Sequence, residues 1–214
     1  MNSAKAQLFR DRAMGARKRE RTRGVLLDSA VSVFAEKGFS GAKIRDITDR
    51  AQLANGTFYN YYQTKDELLR DVATELAIEL TKRINDDMEN IAHGPTRVAL
   101  ATARLLRTVR QQAEWLNVLL EGVFMVPELQ SSAVAYLKKD LELGTQQGHF
   151  SVTVDLLLIN QILALINVGR RVDPAMSDLT IKHTCDAVLR VLGVPAKKAQ
   201  KTVAAVFDLH LEVD

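Results

Sequence analysis

The chain has 214 residues, 47% of them hydrophobic, and a formal net charge of +3. This length and composition are typical of a globular protein of one or two domains and exclude a fibrous or disordered class. The charge is uneven: residues 1–66 carry thirteen Lys or Arg against seven Asp or Glu, whereas residues 67–214 carry sixteen against nineteen. Such a localised positive charge predicts that polyanion binding is confined to the first third of the chain.

The single cysteine and the apolar segments indicate the compartment. Cys185 cannot form an internal disulfide, which is compatible with a reducing cytoplasm. The Arg-rich amino terminus has no apolar run behind it, so a secretory signal is not expected. The longest apolar stretch, residues 156–168, contains Asn160, Gln161 and Asn167 and is too polar and too short to span a bilayer. We therefore expect a cytoplasmic protein with no membrane partner.

Apolar residues recur with the helical period, and no run of alternating β-branched residues is present. The pattern predicts an all-α fold. The first helix is expected over about residues 22–37, with Gly38 ending it in a left-handed cap. Its predicted buried residues are Leu26, Ala30, Val33 and Phe34.

Residues 41–69, GAKIRDITDRAQLANGTFYNYYQTKDELL, predict two short helices around a tight turn. Ile44, Ile47 and Ala51 stand at i, i+3 and i+7, so they line one buried helical face. In the next helix Phe58 and Tyr62 are four residues apart and can pack inward together. The residues left largely exposed are Thr57, Tyr59, Asn60 and Tyr61. This layout is typical of a helix-turn-helix DNA reader.

At these residues the chain resembles the TetR family of bacterial transcriptional regulators. The family's first helix has a pattern near A-x-x-x-F-x-x-x-G-F, matched here by Ala30, Phe34, Gly38 and Phe39. Its second pattern is I-A-x-x-A-G-V-S-x-G-T-F-Y-x-Y-F-x-x-K-x-x-L, matched in one register by Ile47, Ala51, Gly56, Thr57, Phe58, Tyr59, Tyr61, Lys65 and Leu68. The resemblance covers roughly residues 20–75. It implies a three-helix DNA-binding domain followed by a larger helical domain for ligand binding and dimerisation.

The chain departs from the family pattern at four positions. Thr48 replaces the usual Ala, Gln52 the usual turn Gly, Ala54 the usual Ser and Tyr62 the usual Phe. If the turn requires a positive φ, Gln52 costs roughly 1 kcal/mol relative to Gly, because its Cβ crowds the following carbonyl.

The resemblance assigns DNA contacts to Thr57, Tyr59 and Tyr61. A Tyr hydroxyl can donate to a phosphate oxygen, and a Tyr ring or a Thr methyl can contact a thymine methyl in the major groove. An Asn amide suits an adenine edge, Arg suits a phosphate or a guanine, and Lys suits a phosphate. The predicted DNA-binding residues of this segment are Lys43, Arg45, Asn55, Thr57, Tyr59, Asn60, Tyr61 and Lys65. The alternative is that they are solvated surface residues.

A basic arm precedes the first helix at residues 17–23, RKRERTR, at the end of an expected flexible segment 1–21. Arg19, Arg21 and Arg23 can enter a minor groove or bind phosphates. They can equally belong to a solvated tail that adds only nonspecific affinity.

The expected domains are the arm at 1–21, the helix-turn-helix domain at 22–70 and a helical domain at 71–214. Thr64 and Glu67 form a capping-box signature, which predicts a long helix from Lys65 to near Ile91. The later breaks, among them His93-Gly94-Pro95, predict helices over roughly residues 96–112, 113–126, 128–147, 152–170, 175–192 and 196–209.

Two apolar stripes resemble the dimer bundle of the family. The first contains Leu156, Ile159, Leu163 and Ile166, and the second contains Ile181, Cys185, Val188 and Leu192. Either stripe can instead belong to the core of one subunit. In that setting Cys185 is a small core or interface residue rather than a redox sensor. A homodimer is also expected because two readers about 34 Å apart span adjacent major-groove half-sites.

A ligand cavity is the least determined prediction. Its candidate lining residues are Arg104, Trp115, Leu119, Phe124, Met125 and Tyr136. Core packing is the alternative for the apolar members. Arg104 recurs with Arg107 and Arg110 at every third position, so this row can coat a solvated helix face or attract an anionic ligand.

An enzyme is the rival interpretation from another class. The four histidines, His93, His149, His183 and His210, are widely separated, and no H-E-x-x-H, G-x-S-x-G, phosphate-binding glycine loop or cysteine pair occurs. We therefore predict no catalytic residue, no metal and no cofactor. We expect a homodimeric TetR-type repressor that binds a near-palindromic double-stranded operator and is released by a small, largely apolar ligand. The alternative is a helix-turn-helix regulator controlled by a protein partner or without an effector.

Overall fold

The computed structural model describes residues 8–85, 88–112, 118–119 and 127–209. Within these ranges all regular structure is helical, which confirms the predicted all-α class. The helices are α1 (Leu8–Arg12), α2 (Lys18–Gly41), α3 (Ile44–Ala51), α4 (Asn55–Tyr59), α5 (Lys65–Asn85), a 3₁₀ turn (Met88–Asn90), α6 (Gly94–Gln111), α7 (Pro127–Gln146), α8 (Leu156–Val172), α9 (Asp178–Val191) and α10 (Ala196–Leu209). No described helix is long and apolar enough to cross a membrane.

The chain divides into two compact units. The first contains Met1–Ile78 and Gln112–Leu129, and the second contains Glu79–Gln111 and Gln130–Asp214. The first unit therefore extends beyond the predicted boundary at residue 70. The first part of α5 belongs to it, and there Leu68, Val72 and Leu76 are fully buried.

Helix α2 is the centre of the first unit and contacts both α1 and α3. The four predicted core residues of α2, from Leu26 to Phe34, are all buried. Gly38 has a positive φ, as expected, but its φ of 66° and ψ of 164° produce a kink rather than a left-handed helical cap. This extended region at positive φ is open essentially to glycine alone. The chain then completes a last turn to Gly41.

The predicted flexible arm is wrong from residue 8 onward. Residues 8–12 form α1, whose Phe9 is buried together with Ala13, and residues 18–23 are the first turns of α2. The basic composition of this segment predicted a flexible arm. The sequence contains no sign of the helix because the contacts that hold α1 come from the distant residue Asp28.

Helix α9 organises the second unit by packing against α6, α8 and α10. Ile181, Cys185, Val188 and Leu192 are almost fully buried within the chain, and the Cys185 thiol donates to the Ala99 carbonyl oxygen at 3.6 Å. Burial raises the pKa of this thiol to about 12, which is the opposite of what a reactive cysteine requires.

Six residues of the predicted dimer stripes, Ile159, Ile166, Ile181, Cys185, Val188 and Leu192, are therefore corrected to internal core. Ile159 and Ile166 of α8 are also buried, Leu163 is half-buried and Leu156 is exposed. The helical periodicity was right, but the apolar faces point toward neighbouring helices of the same subunit.

A buried ion pair joins α6 to α7. Arg97 donates from Nε to Asp140 Oδ1 at 2.8 Å, and both side chains are almost completely buried. Arg97 also donates to the carbonyl oxygens of Met88 and Ile91. The guanidinium thus satisfies the carbonyls of the 3₁₀ turn as well as the carboxylate, as a buried cation requires.

Helix α6 begins with a histidine cap. His93 Nδ1 accepts the Thr96 backbone N–H at 3.3 Å and lies 2.8 Å from the Thr96 hydroxyl. The His149 ring is 4.8 Å away between centroids. Partial burial, followed by the proximity of His149, lowers the pKa of His93. Both effects favour the neutral ring, whose Nδ1 must be unprotonated to accept the Thr96 N–H.

Candidate nucleic-acid interface

The segment 44–62 forms the predicted helix-turn-helix. Gln52, between α3 and α4, has a φ of 56° and a ψ of 41°, so the turn needs a left-handed residue where the chain has a side chain. The Gln52 N–H donates to Asp49 O at 3.1 Å, and the Leu53 N–H donates to Thr48 O at 2.9 Å. These bonds satisfy the last carbonyls of α3 and fix the direction in which α4 leaves it.

The exposed face of α3 carries two of the predicted contacts. The Arg45 side chain is 80% exposed and lies 3.6 Å from Asp49, one turn away, and Lys43 is exposed at the helix start. The Lys43 N–H donates to Asp46 at 2.9 Å, and Lys37 Nζ lies 2.7 Å from the same carboxylate. The bond from Lys37, followed by that from the Lys43 backbone, lowers the pKa of Asp46. Arg45 and Lys43 thus stand on a firmly capped helix start.

Helix α4 presents a polar surface over a buried aromatic anchor. Phe58 is fully buried and packs against Tyr62, with ring centroids 5.8 Å apart. Tyr59 is 59% exposed, Asn60 is exposed, and Thr57 is half-buried. The predicted inward residues are therefore buried, and of the four predicted outward residues Tyr59 and Asn60 are exposed, whereas Thr57 and Tyr61 are half-buried.

Thr48 explains one departure from the family pattern. Its side chain is fully buried, and its hydroxyl lies 2.5 Å from Asn55 Oδ1, close enough to donate. This contact orients the exposed Asn55 at the start of α4. The usual Ala at this position has no group that could do so.

Arg19 joins the start of α2 to this surface, because its guanidinium lies 5.6 Å from the centroid of the Tyr61 ring. A groove of about 550 Å³ separates the two elements. It is lined by Lys18, Arg19, Thr22, Leu53, Thr57, Asn60 and Tyr61. Lys18 and Thr22 were not predicted as part of the site. They become visible only when α2 is extended back to residue 18, which places residues 18, 19 and 22 on one helical face.

Three predicted DNA contacts have intramolecular partners instead. Lys65 Nζ donates to Phe39 O and to Ala42 O, at 2.5 and 2.7 Å, and lies 4.3 Å above the Phe39 ring. The Arg21 guanidinium donates to Ala16 O. Lys65 closes the end of α2, where the kink leaves carbonyls without helical partners, so only one of its three ammonium donors remains for a phosphate.

Arg23 is the third of these residues. Its Nε donates to Asp71 at 3.0 Å and its Nη2 to Glu75 at 3.0 Å, which ties α2 to α5. Burial opposes the charged form, but the hydrogen bonds that Arg23 donates to Asp71 and Glu75 outweigh it and raise the pKa of Arg23. We therefore correct its role from DNA contact to a structural ion pair.

Tyr62 completes the same cluster. Its hydroxyl donates to Asp71 at 2.6 Å, and burial, followed by Asp71, raises the pKa of the phenol. The family's usual Phe could not make this bond. Tyr62 thus adds a hydrogen bond between the end of the helix-turn-helix and Asp71 of α5.

The arginine row of α6 is also engaged. Arg104 donates to Ile84 O at 2.9 Å, Arg107 lies 5.5 Å from the Phe207 ring centroid, and Arg110 pairs with Asp178 at 2.9 Å. Arg104 therefore helps to hold the end of α5, and its role in ligand binding stays a prediction.

The remaining predicted cavity residues are only partly described. Leu119 is buried. Trp115, Phe124, Met125 and the side chain of Tyr136 lie outside the described residues. Within the described residues, no group of three His, Cys, Asp or Glu side chains could hold a metal ion.

A helix-turn-helix with exposed Tyr, Asn and Arg side chains, next to a basic helix start, defines the class of DNA-binding regulatory proteins. Comparison with known proteins finds similarity in the same segment. Residues 26–72 match the family described as bacterial regulatory proteins, tetR family. The curated relatives found in the comparison are described as transcriptional regulators.

Individual relatives extend the comparison. The chain is 28% identical over 96 residues to the regulator LuxR of Vibrio harveyi, covering 45% of this chain and 47% of that protein. It thus spans about half the length of this curated relative. A crystal structure of RolR with the ligand resorcinol is 25% identical, with a TM-score of 0.67 over 87% of this chain and 95% of that one. FadR from Bacillus subtilis in complex with stearoyl-CoA is 22% identical, with a TM-score of 0.64 over 80% and 97%, and so shows the shared fold.

Proposed function

We propose that this protein is a homodimeric transcriptional repressor that binds a near-palindromic operator and is released by a small, largely apolar ligand. The observation that carries the proposal is the polar surface of α4, with Tyr59 and Asn60 exposed beside the groove that Lys18 and Arg19 line. This surface combines groups that hydrogen-bond base edges with cations that bind phosphates.

The proposed contacts divide by chemistry. Tyr59, Asn60 and Thr57 read base edges or thymine methyl groups in the major groove, because they lie on α4 and its C-terminal cap, with Tyr59 and Asn60 exposed. Lys18, Lys43 and Arg45 bind phosphates. Tyr61 has a mixed role, since its ring holds the Arg19 guanidinium while its hydroxyl can donate to a phosphate oxygen.

The proposed dimer surface is the outward face of α8, opposite the buried stripe. Leu157, Gln161, Ala164, Val168 and Val172 are all exposed and stand at i, i+4, i+7, i+11 and i+15. Leu179 at the start of α9 is 63% exposed. Four of these five residues are apolar, and contact with a second copy would remove their surface from water.

Release by a ligand is supported by the relatives. RolR was crystallised with resorcinol, which contains one aromatic ring, and FadR from Bacillus subtilis with stearoyl-CoA, which contains a long acyl chain. By analogy, the effector of this chain binds the second unit and favours a conformation with lower operator affinity. Such a ligand shifts the equilibrium only by its difference in affinity for the two conformations.

The test is selection of bound sequences from a random DNA pool with the purified full chain at moderate salt. Enrichment of a near-palindrome with half-sites about one helical turn apart supports the proposal. An absence of any enriched sequence, with binding that disappears as salt rises, contradicts it and leaves only nonspecific charge attraction. The enriched DNA then serves to screen for ligands that release it. If none does, the alternatives are a protein partner or no effector.

A further inference from the structure

Helix α1 is fastened to α2 by one buried carboxylate. Asp28 is 7% exposed, and its two oxygens accept the backbone N–H groups of Phe9 and Arg10 at 3.1 and 3.0 Å. Arg10 Nε lies 3.7 Å from the same carboxylate. The first N–H groups of a helix have no acceptors within the helix. Asp28, nineteen residues after Phe9, supplies the acceptors for α1.

Gly24 makes this close approach possible. A Cβ at position 24 would lie 2.6 Å from Phe9 O and 2.9 Å from Phe9 C. Those are backbone atoms, so α1 would have to move away if any side chain were present. The family match begins at residue 26, so Gly24 and the whole of α1 lie outside it.

The start of α2 is intrinsically weak. Its N-cap residue, Arg17, makes no side-chain capping bond, which leaves the first-turn amides without the usual Ser, Thr, Asp or Asn acceptor. Arg17, Lys18, Arg19 and Arg21 also place positive charge at the end of a helix where the dipole disfavours cations, and Glu20 offsets only one of them. Unsupported, this turn is expected to fray.

Helix α1 provides the missing support. The link to α2 is fixed by the Ala16 N–H donating to Ala13 O at 3.0 Å and by the Arg21 side chain donating to Ala16 O. Arg12, at the end of α1, lies 3.5 Å from Glu75 on α5. The docked α1 thereby holds the first turn that carries Lys18 and Arg19 beside α4.

We propose that Asp28 is a positioning residue for DNA binding: by holding α1 against Gly24, it keeps the uncapped basic turn of α2 folded, so that Lys18 and Arg19 reach backbone phosphates. This inference rests on the proposed function. It assigns to α1 a contribution to affinity that requires no contact between α1 and DNA.

The experiment uses the full chain and the DNA enriched from the random pool. Gly24→Ala displaces α1 by its Cβ while raising the helix propensity of α2, so it separates α1 docking from α2 stability. Asp28→Asn tests the carboxylate with little change in size. Gly41→Ala is the matched control, because its Cβ would meet only Lys37 Cβ at 3.8 Å in the same helix. Hydrogen exchange at Phe9 and Arg10 reports whether α1 is docked, and thermal unfolding reports whether the chain is folded.

Loss of α1 protection in Gly24→Ala and Asp28→Asn should lower the slope of log affinity against log salt by about one to two units, since each phosphate contact contributes about 0.9. Gly41→Ala should retain the original slope. In a Lys18→Ala/Arg19→Ala background, Gly24→Ala should produce no further decrease, because the contacts it positions are already gone.

Three results would overturn the inference. The slope of a folded variant could remain unchanged although α1 is released, α1 could stay protected in both variants, or Gly24→Ala could weaken binding equally in the Lys18→Ala/Arg19→Ala background. If the unaltered protein enriches no sequence, it is instead the proposed function that fails.

Discussion

The Arg19 guanidinium lies over the Tyr61 ring at 5.6 Å, so the first turn of α2 and the end of the helix-turn-helix share one contact. A cation held on an aromatic face keeps its charge available to a phosphate while losing rotational freedom. The pair therefore links the charge of the helix start to the geometry of the reader.

This contact predicts coupling between the two residues in DNA binding. Arg19→Ala and Tyr61→Ala should each weaken operator binding, and the double variant should lose less than the sum, with a coupling of about 0.5–1 kcal/mol. Tyr61→Phe should retain most of the coupling because the ring remains. Operator affinities measured by titration for the four members of the cycle test it. Strict additivity would show that the ring does not orient the guanidinium.

The exposed Tyr59 should control the choice of sequence. Tyr59→Ala is expected to abolish operator selection and to leave nonspecific binding, helical content and the dimer intact, because its side chain is 59% exposed and does not anchor the fold. Selection from the random pool and circular dichroism provide the measurements. Lys139→Ala, at an exposed position of α7, is the control and should retain selection. Enrichment of the same operator by Tyr59→Ala would remove Tyr59 from the reading surface.

The strained turn predicts a stabilising substitution. Gln52→Gly should raise the free energy of unfolding by up to about 1 kcal/mol, because Gly adopts the left-handed conformation without the Cβ penalty. Gln200→Gly, at an exposed position within α10, should instead lower it by about 1 kcal/mol. Urea denaturation of both variants distinguishes the effects. If Gln52→Gly destabilises the chain as much as the control does, the φ of 56° carries no strain.

The outward stripe of α8 predicts the oligomeric state. Ala164→Glu should convert the dimer to a monomer, since a carboxylate placed on each facing helix would be desolvated beside its symmetry mate. Ala204→Glu makes the same chemical change at an exposed position of α10 and should leave the dimer intact. Sedimentation equilibrium gives the mass of each variant. A dimer that survives Ala164→Glu would place the interface elsewhere.

The histidine cap predicts a loss of stability in mild acid. The pKa of His93 is lowered in the folded state from the ordinary value of 6.5, so below pH 6.5 the unfolded chain binds a proton that the folded chain resists. Stability should therefore fall as the pH drops from 6.5 toward the lower folded-state value. His93→Asn replaces the cap with one that does not titrate and should flatten this part of the curve. Denaturation midpoints between neutral and mildly acidic pH test this, and an unchanged slope in His93→Asn would assign the effect to other groups.

The sequence was most informative where structure depends on near neighbours. Ile47, Ala51 and Phe58 are buried as their spacing predicts, and the bounds of α6 to α10 agree with the predicted ones within a few residues, whereas α5 ends at Asn85 instead of near Ile91. The buried stripe of α9 was also correctly predicted as a stripe. The surface that covers this stripe was not correctly predicted, because periodicity shows which face of a helix is apolar and not what packs against that face.

Long-range contacts explain the other differences. The residues near positions 8–12 give no signal for a helix. The first backbone amides of α1 donate to the distant Asp28, and the close contact of α1 with α2 depends on Gly24. Lys65 matches a DNA-contact pattern, yet the Gly38 kink brings the carbonyls of Phe39 and Ala42 to its ammonium group. A pattern of residue types cannot distinguish a cation facing phosphate from one that closes a helix.

The buried pair of Arg97 and Asp140 constrains how this lineage can change. Losing either residue alone would strand an unpaired charge and cost about 3–5 kcal/mol, a large share of the stability of a protein this size. Apolar residues at both positions would remove the charges together, but the carbonyls of Met88 and Ile91 would lose the donor that Arg97 supplies. A single substitution at either position therefore yields a destabilised protein, which selection disfavours. Descendants are expected to keep both residues or to exchange both, so positions 97 and 140 should co-vary, although they lie on different helices.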